Sequence, residues 1–132
     1  ALQSNVLAPD LFKAVVAIAP VADLQMARDE YSRTYLSANY RDFFGSGPHI
    51  AEGSPVRHAA AFRAPVLMFH GALDLNVEIR HARAMRDRLR DVGKQVELVE
   101  FPGLDHQLQD SATRAQMLRR SDAFLRQALG IR

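Results

Sequence analysis

The chain has 132 residues, of which 48% are hydrophobic and none is cysteine. That length suits one domain or part of a larger one, and the hydrophobic share is enough to bury a core. The lack of cysteine excludes disulfide frameworks and cysteine-ligated zinc sites. No apolar run approaches the ~20 residues of a membrane-spanning helix. We therefore expect a soluble protein with no membrane partner, and the choice between cytoplasm and periplasm stays open.

The charge distribution argues against nucleic acid as a partner. The sequence pI is about 9.4, but the formal net charge is only +2. Arginines alternate with acidic residues, as in residues 86–91, which is typical of a solvated helix surface. Nucleic-acid binding would require a one-sided basic patch with stacking aromatic side chains.

Three short apolar runs read as strands, at residues 13–19, 65–70 and 95–101. The first two are nearly free of charge, as in strands buried on both faces of a parallel sheet. The third contains two glutamates, which is typical of a sheet edge. Because helical segments alternate with these strands, we predict an α/β fold with a parallel sheet flanked by helices.

Hydrophobic periodicity predicts the helices between the strands. Residues 1–8 read as the end of a helix, and residues 54–62 as a short helix. The clearest helix spans residues 78–92 and is followed by Gly93, a residue suited to a left-handed cap. Its apolar stripe is formed by Ala82, Met85, Leu89 and Val92. The last helix, residues 111–129, is expected to present one face made of Leu118, Ser121, Leu125 and Ala128.

Residues 21–64 are less regular and should contain two or three short helices. Tyr31 and Tyr35 lie in this segment. They could line a substrate pocket, but we expect them to pack within the segment.

An acidic and a basic side chain follow two neighbouring strands. Asp74 lies in residues 70–77, after the second strand, and His106 lies in residues 102–107, after the third. The carboxyl ends of parallel strands share one sheet edge, and neighbouring strands lie ~4.8 Å apart, so these side chains can meet. A buried carboxylate on one imidazole nitrogen leaves the other nitrogen free to accept a proton from a nucleophile.

Four segments resemble the prolyl oligopeptidase family. They are HGALDLNV around Asp74, FPGLDHQL around His106, and the segments SPVRHAAAFRAPVLMFHG and FKAVVAIAPVADL that lead to and include the strands. The order of acid before base is also that of the α/β-hydrolase fold. The resemblance implies that the three strands are the last three of a partial doubly wound sheet.

The same resemblance implies a serine peptidase that cleaves short peptides and requires no metal or organic cofactor. Asp74 would be the triad acid and His106 the base. Asn76 occupies the position at which dipeptidyl peptidases of the family hold the substrate backbone. Asp105 matches members with an acidic residue before the base.

The family's nucleophile motif, G-x-S-x-G, is absent from the sequence. Gly45-Ser46-Gly47 comes closest, but no strand is predicted before it. By the family pattern, the serine lies just before Ala1. We therefore expect residues 1–132 to be a C-terminal fragment of a catalytic domain that is inactive by itself.

The other histidines do not predict a metal site. His70 ends a buried strand and is expected to be structural. His49, His58 and His81 lack the spacing of metal ligands, and no H-E-x-x-H is present.

Two alternatives remain open. The first is an esterase or dienelactone-type α/β-hydrolase, which shares the segments around Asp74 and His106. The second is a non-catalytic module that binds a partner, or self-associates, through the exposed edge of strand 13–19.

Overall fold

The computed structural model describes residues 1–32 and 37–131. Within these residues, three strands form one sheet: β1 (Val15–Ile18), β2 (Val66–Gly71) and β3 (Val96–Phe101). The same residues form a 3₁₀ helix (Pro55–Ala61) and six α-helices: α1 (Leu2–Leu7), α2 (Leu24–Tyr31), α3 (Ser37–Phe44), α4 (His49–Glu52), α5 (Arg80–Asp91) and α6 (Ser111–Leu129). The predicted strands and long helices are present, with ends within two residues of the expected positions.

The sheet is parallel, and β2 lies at its centre between β1 and β3. All residues of β2 are buried, as its uninterrupted apolar sequence predicts. The expectation that β1 is buried on both faces is wrong at its end, where Ile18 is 53% exposed. The reason is that α6 packs against β2 and leaves this part of β1 uncovered.

Helices cover both faces of the sheet, which confirms the predicted doubly wound arrangement. On one face, α1, the 3₁₀ helix and α5 enclose a core that contains Met68, Met85 and Leu89. On the other face, α6 packs over a core that contains Leu67 and Phe69. None of the helices in the described part of the chain is long and apolar enough to cross a membrane.

The helix α5 has the predicted apolar stripe. Ala82, Met85 and Leu89 are fully buried against the sheet. Gly93 follows the helix with a φ of 71°, a left-handed conformation that glycine adopts without strain.

The predicted buried face of α6 is wrong by about a quarter turn. Leu118 is 72% exposed and Leu125 is 37% exposed. The face that packs on the sheet instead contains Thr113, Met117 and Phe124. The sequence supports either stripe, since each places apolar residues seven positions apart. The structure buries the stripe that contains the aromatic ring, which removes more apolar area from water.

The loop after β1 is fixed by the buried side chain of His81 on α5. Its Nδ1 accepts the backbone amides of Ala22 (3.2 Å) and Asp23 (3.3 Å). Its Nε2 lies 3.2 Å from a carboxylate oxygen of Glu30. Because amides donate and a carboxylate accepts, the ring is neutral with its proton on Nε2. Burial lowers the pKa of His81 and outweighs the neighbouring Glu30, which raises it.

Folding stability should therefore decrease in mild acid. Because the folded state holds the pKa of His81 below the ordinary value of 6.5, the unfolded chain binds a proton first as the pH falls. The stabilisation is complete above pH 6.5 and is lost as the pH drops towards the folded-state pKa. Thermal unfolding from about pH 7 to about pH 5 should show a steeper decline for the wild-type chain than for His81→Asn. Equal slopes would contradict this assignment.

Candidate active site

The Asp74 carboxylate is fully buried near the start of the loop that follows β2. Its Oδ1 accepts the backbone amides of Asn76 and Val77, each at 2.9 Å. This local turn arises because an aspartate side chain readily binds amides two and three residues ahead. Two amides therefore stabilise the charged carboxylate where water does not reach it.

His106 lies on the loop after β3 and contacts the other oxygen of the same carboxylate. Its Nδ1 is 2.8 Å from Asp74 Oδ2. Since the carboxylate accepts, Nδ1 carries a proton, and in the neutral ring Nε2 then holds the lone pair. The side chain is 34% exposed, and within residues 1–32 and 37–131 no group is hydrogen-bonded to Nε2. The structure thus brings the two side chains together as an acid–base pair with one nitrogen open.

The two loops are joined through their backbones. Ala72 N donates to Phe101 O (2.9 Å), and Leu73 N donates to Leu104 O (3.0 Å). The two loops approach each other closely at Gly71, because a Cβ placed there would be 2.4 Å from Leu104 O. Only a residue without a side chain allows the loops to approach this closely.

Asn76 lies at the rim of this site. Its backbone amide binds the Asp74 carboxylate, and its carbonyl accepts the Tyr31 hydroxyl at 2.9 Å. Its exposed side chain lines a cavity of about 220 Å³ together with His106 and Gln107.

The ring of Tyr31 packs within its own segment, as expected, although its hydroxyl reaches Asn76 on the loop after β2. Its ring stacks on Tyr40 with centroids 4.0 Å apart. Burial raises the pKa of the Tyr31 hydroxyl, with Tyr40 a smaller contributor, so the hydroxyl remains protonated as the donor to Asn76. Tyr35 lies outside the described residues.

The sequence did not reveal that His70 contacts the Asp74 loop. The fully buried His70 donates from Nε2 to Val77 O at 2.8 Å. The same nitrogen is 3.2 Å from Asp74 Oδ2. Across the described residues, no group of three or more histidine, cysteine, aspartate or glutamate side chains is arranged to hold a metal ion.

The serine closest to the nucleophile pattern does not occupy a nucleophile elbow. Ser46 lies in the connection between α3 and α4, so it follows a helix and not a strand. No serine hydroxyl in the described part of the chain is hydrogen-bonded to His106.

We expect Gly71→Ala to separate the two loops. The added Cβ would meet backbone oxygens of Leu104 and Asp105 at 2.4 and 2.5 Å, which cannot move aside cheaply. The variant should lose about 1–3 kcal/mol of unfolding free energy in a denaturant titration. Gly103→Ala is the matched control, since a Cβ there meets nothing within 4 Å, and it should change stability by less than about 0.5 kcal/mol. Equal effects would contradict the close approach.

The sequence and the fold of this chain are similar to those of known proteins. The sequence model of the prolyl oligopeptidase family matches residues 2–132. The uncharacterized peptidase YuxL of Bacillus subtilis (strain 168) is 30% identical over 79 residues, which cover 60% of this chain and 12% of that protein. A puromycin-hydrolyzing peptidase of Mycobacterium tuberculosis superposes with a TM-score of 0.86 at 25% identity, covering 98% of this chain and 20% of that one.

A further solved structure is an esterase. Esterase 2 of Thermogutta terrifontis superposes with a TM-score of 0.66 at 25% identity, over 86% of this chain and 40% of that one. The chain thus spans less than half the length of each of these relatives. Since the family match extends over nearly every residue and the sheet superposes on peptidases of this fold, the chain belongs to the prolyl oligopeptidase family of serine peptidases and has an α/β-hydrolase architecture.

Proposed function

We propose that this chain supplies the acid and the base of a serine peptidase that cleaves short peptides. Asp74 is the acid and His106 is the base. The observation that carries the proposal is the 2.8 Å contact between His106 Nδ1 and the buried Asp74 carboxylate, with Nε2 left open. This is the arrangement in which an imidazole takes a proton from a nucleophile.

In the proposed reaction, His106 Nε2 accepts the proton of a serine hydroxyl as the oxygen attacks the scissile carbonyl. The imidazolium that forms is stabilised by the Asp74 carboxylate, whose Oδ1 is held in place by two backbone amides. His106 then donates that proton to the departing amine, so the first product leaves and an acyl-enzyme remains. Water attacks the acyl group by the same sequence of proton transfers.

We propose that the serine precedes Ala1, so that residues 1–132 form the C-terminal part of a catalytic domain. The absence of G-x-S-x-G in this sequence and the family's order of serine, acid and base support this. The helix α1 begins at Leu2 and packs beside β1, where the family pattern expects the end of the nucleophile helix. The 132-residue chain by itself should not hydrolyse peptides. An upstream coding sequence without a strand and a G-x-S-x-G motif would contradict this proposal.

We expect Asp74→Asn to lower kcat about 10⁴-fold in the protein that includes the upstream sequence. An amide nitrogen facing His106 Nδ1 would favour the wrong tautomer and remove the stabilising charge. Hydrolysis of a dipeptide p-nitroanilide measures the effect. Asp105→Asn is the control, because within residues 1–32 and 37–131 the Asp105 side chain binds only the exposed backbone amide of Gln107, and it should retain near wild-type kcat. Unchanged turnover in Asp74→Asn would contradict the acid assignment.

An esterase is the alternative, and the similarity to Thermogutta terrifontis esterase 2 favours testing it. The same enzyme preparation can be assayed with the p-nitroanilide and with a simple p-nitrophenyl ester. The peptidase proposal expects turnover of both substrates. Turnover of the ester alone would replace it with the esterase.

We also propose that the Asn76 side chain binds the substrate backbone. Its position on the cavity shared with His106 supports this role, since an amide donates to a peptide carbonyl. Losing one such hydrogen bond costs about 0.5–1.5 kcal/mol. Asn76→Ala should therefore lower kcat/KM roughly 3- to 10-fold, mainly through KM. Gln107→Ala, on the same cavity, is the control, and an equal loss in both variants would argue against a specific contact.

We further propose that the 132-residue chain alone self-associates through β1. Val15 N and Ala19 N donate to the β2 side, at Pro65 O and Phe69 O. Since backbone direction alternates along a strand, the polar groups of Val16 and Ile18 face the open edge. Among the described strands, β1 pairs only with β2, and an unpaired edge is a template for strand addition.

Val16→Pro should weaken this self-association. Proline removes the amide that faces the open edge, and edge positions tolerate this residue. Sedimentation velocity should show a concentration-dependent dimer for the wild-type chain and mainly monomer for the variant, with circular dichroism confirming that both are folded. A folded wild-type monomer at all concentrations would contradict the proposal.

A further inference from the structure

His70 is a buried polar side chain that the proposed reaction does not use. It is the penultimate residue of β2, it is 0% exposed, and its side chain points towards the loop that carries Asp74. Its Nδ1 has no hydrogen-bond partner in the described part of the chain. All of its observed polar contacts are therefore made by Nε2.

The contacts of Nε2 fix the tautomer of His70. Nε2 is hydrogen-bonded to Val77 O at 2.8 Å. A carbonyl oxygen only accepts, so Nε2 carries a proton. This hydrogen bond therefore links the end of β2 to Val77, on the loop that follows β2.

Val77 connects this hydrogen bond to the acid. Its carbonyl accepts from His70, and its own amide donates to Asp74 Oδ1 at 2.9 Å. The Val77 residue is thus held on both sides. A shift of Val77 would move one of the two amides that orient the carboxylate.

His70 also lies directly against the oxygen that His106 uses. Its Nε2 is 3.2 Å from Asp74 Oδ2, and His106 Nδ1 is 2.8 Å from the same oxygen. The contact with His70 is a close approach of an electropositive N–H to a negative oxygen, in a place from which water is excluded. Such contacts are strong because the local dielectric is low.

We propose that His70 is a positioning residue that orients the Asp74 carboxylate towards His106, through the Val77 peptide and through direct contact with Oδ2. The inference concerns the same site as the proposed function and rests on it for the role of His106. It predicts a property of the hydrogen bond between His106 Nδ1 and Asp74. This bond can be measured whether or not the protein hydrolyses peptides.

Two variants distinguish the effect of the His70 hydrogen-bond donor from the effect of its side-chain volume. His70→Leu keeps a similar volume but removes the donor. His70→Gln places an amide N–H at a reach close to that of Nε2. The measurement is ¹⁵N-edited NMR of the histidine-labelled 132-residue chain, which reports the tautomer of His106 and the exchange of its Nδ1 proton. Thermal unfolding of the same samples reports stability.

The wild-type chain should show His106 in one tautomer, with a downfield, slowly exchanging Nδ1 proton. This signal should be lost in His70→Leu and restored in His70→Gln. A folded His70→Leu chain that keeps the signal would overturn the proposal, because His70 would then serve packing alone.

If His70→Leu does not fold, the result for His70→Gln tests the proposal. Recovery of both fold and signal in His70→Gln would support the positioning role. A folded His70→Gln chain without the signal, or failure of both variants to fold, would reject it. Since hydrolysis is not measured, failure of the peptidase proposal in the assays above would not be confused with failure of this one.

Discussion

The buried charge of Asp74 is the constraint on which the rest of the site depends. A carboxylate removed from water is strongly unfavourable unless donors surround it. Two amides of its own loop bind one oxygen, and His106 binds the other. Each donor that stabilises the charge also restricts the orientation of the Asp74 carboxylate. The desolvation that makes the carboxylate costly to bury therefore also makes it an effective partner for one imidazole.

The parallel sheet makes this arrangement possible. It places the ends of β2 and β3 at one edge, and the absent side chain of Gly71 lets the two following loops share backbone hydrogen bonds. In the described part of the chain, the hydrogen bond between His106 and Asp74 joins the loops after β3 and β2 directly. Both loops belong to this chain, so the contact between the two side chains is present although the chain spans only 20% of the Mycobacterium tuberculosis peptidase.

Two of the imidazole–carboxylate contacts among the described residues differ in how the ring nitrogens are engaged. His81 has both nitrogens engaged, one by backbone amides and the other by Glu30. His106 has one nitrogen engaged by Asp74 and the other directed away from any described partner. The first ring fixes the loop after β1, and the second is partly exposed to solvent. The open nitrogen therefore distinguishes the candidate site from a structural pair.

The sequence by itself determined the strands, the stripe of α5 and the positions of Asp74 and His106, because these depend on patterns within one element or one loop. The tertiary structure decided which face of α6 is buried, since Met117 and Leu118 belong to two equally plausible stripes. It also decided that His70, which reads as an ordinary end of a buried strand, lies against the Asp74 carboxylate. Contacts between separate segments depend on how elements pack, and hydrophobic periodicity along one element carries no information about its neighbours.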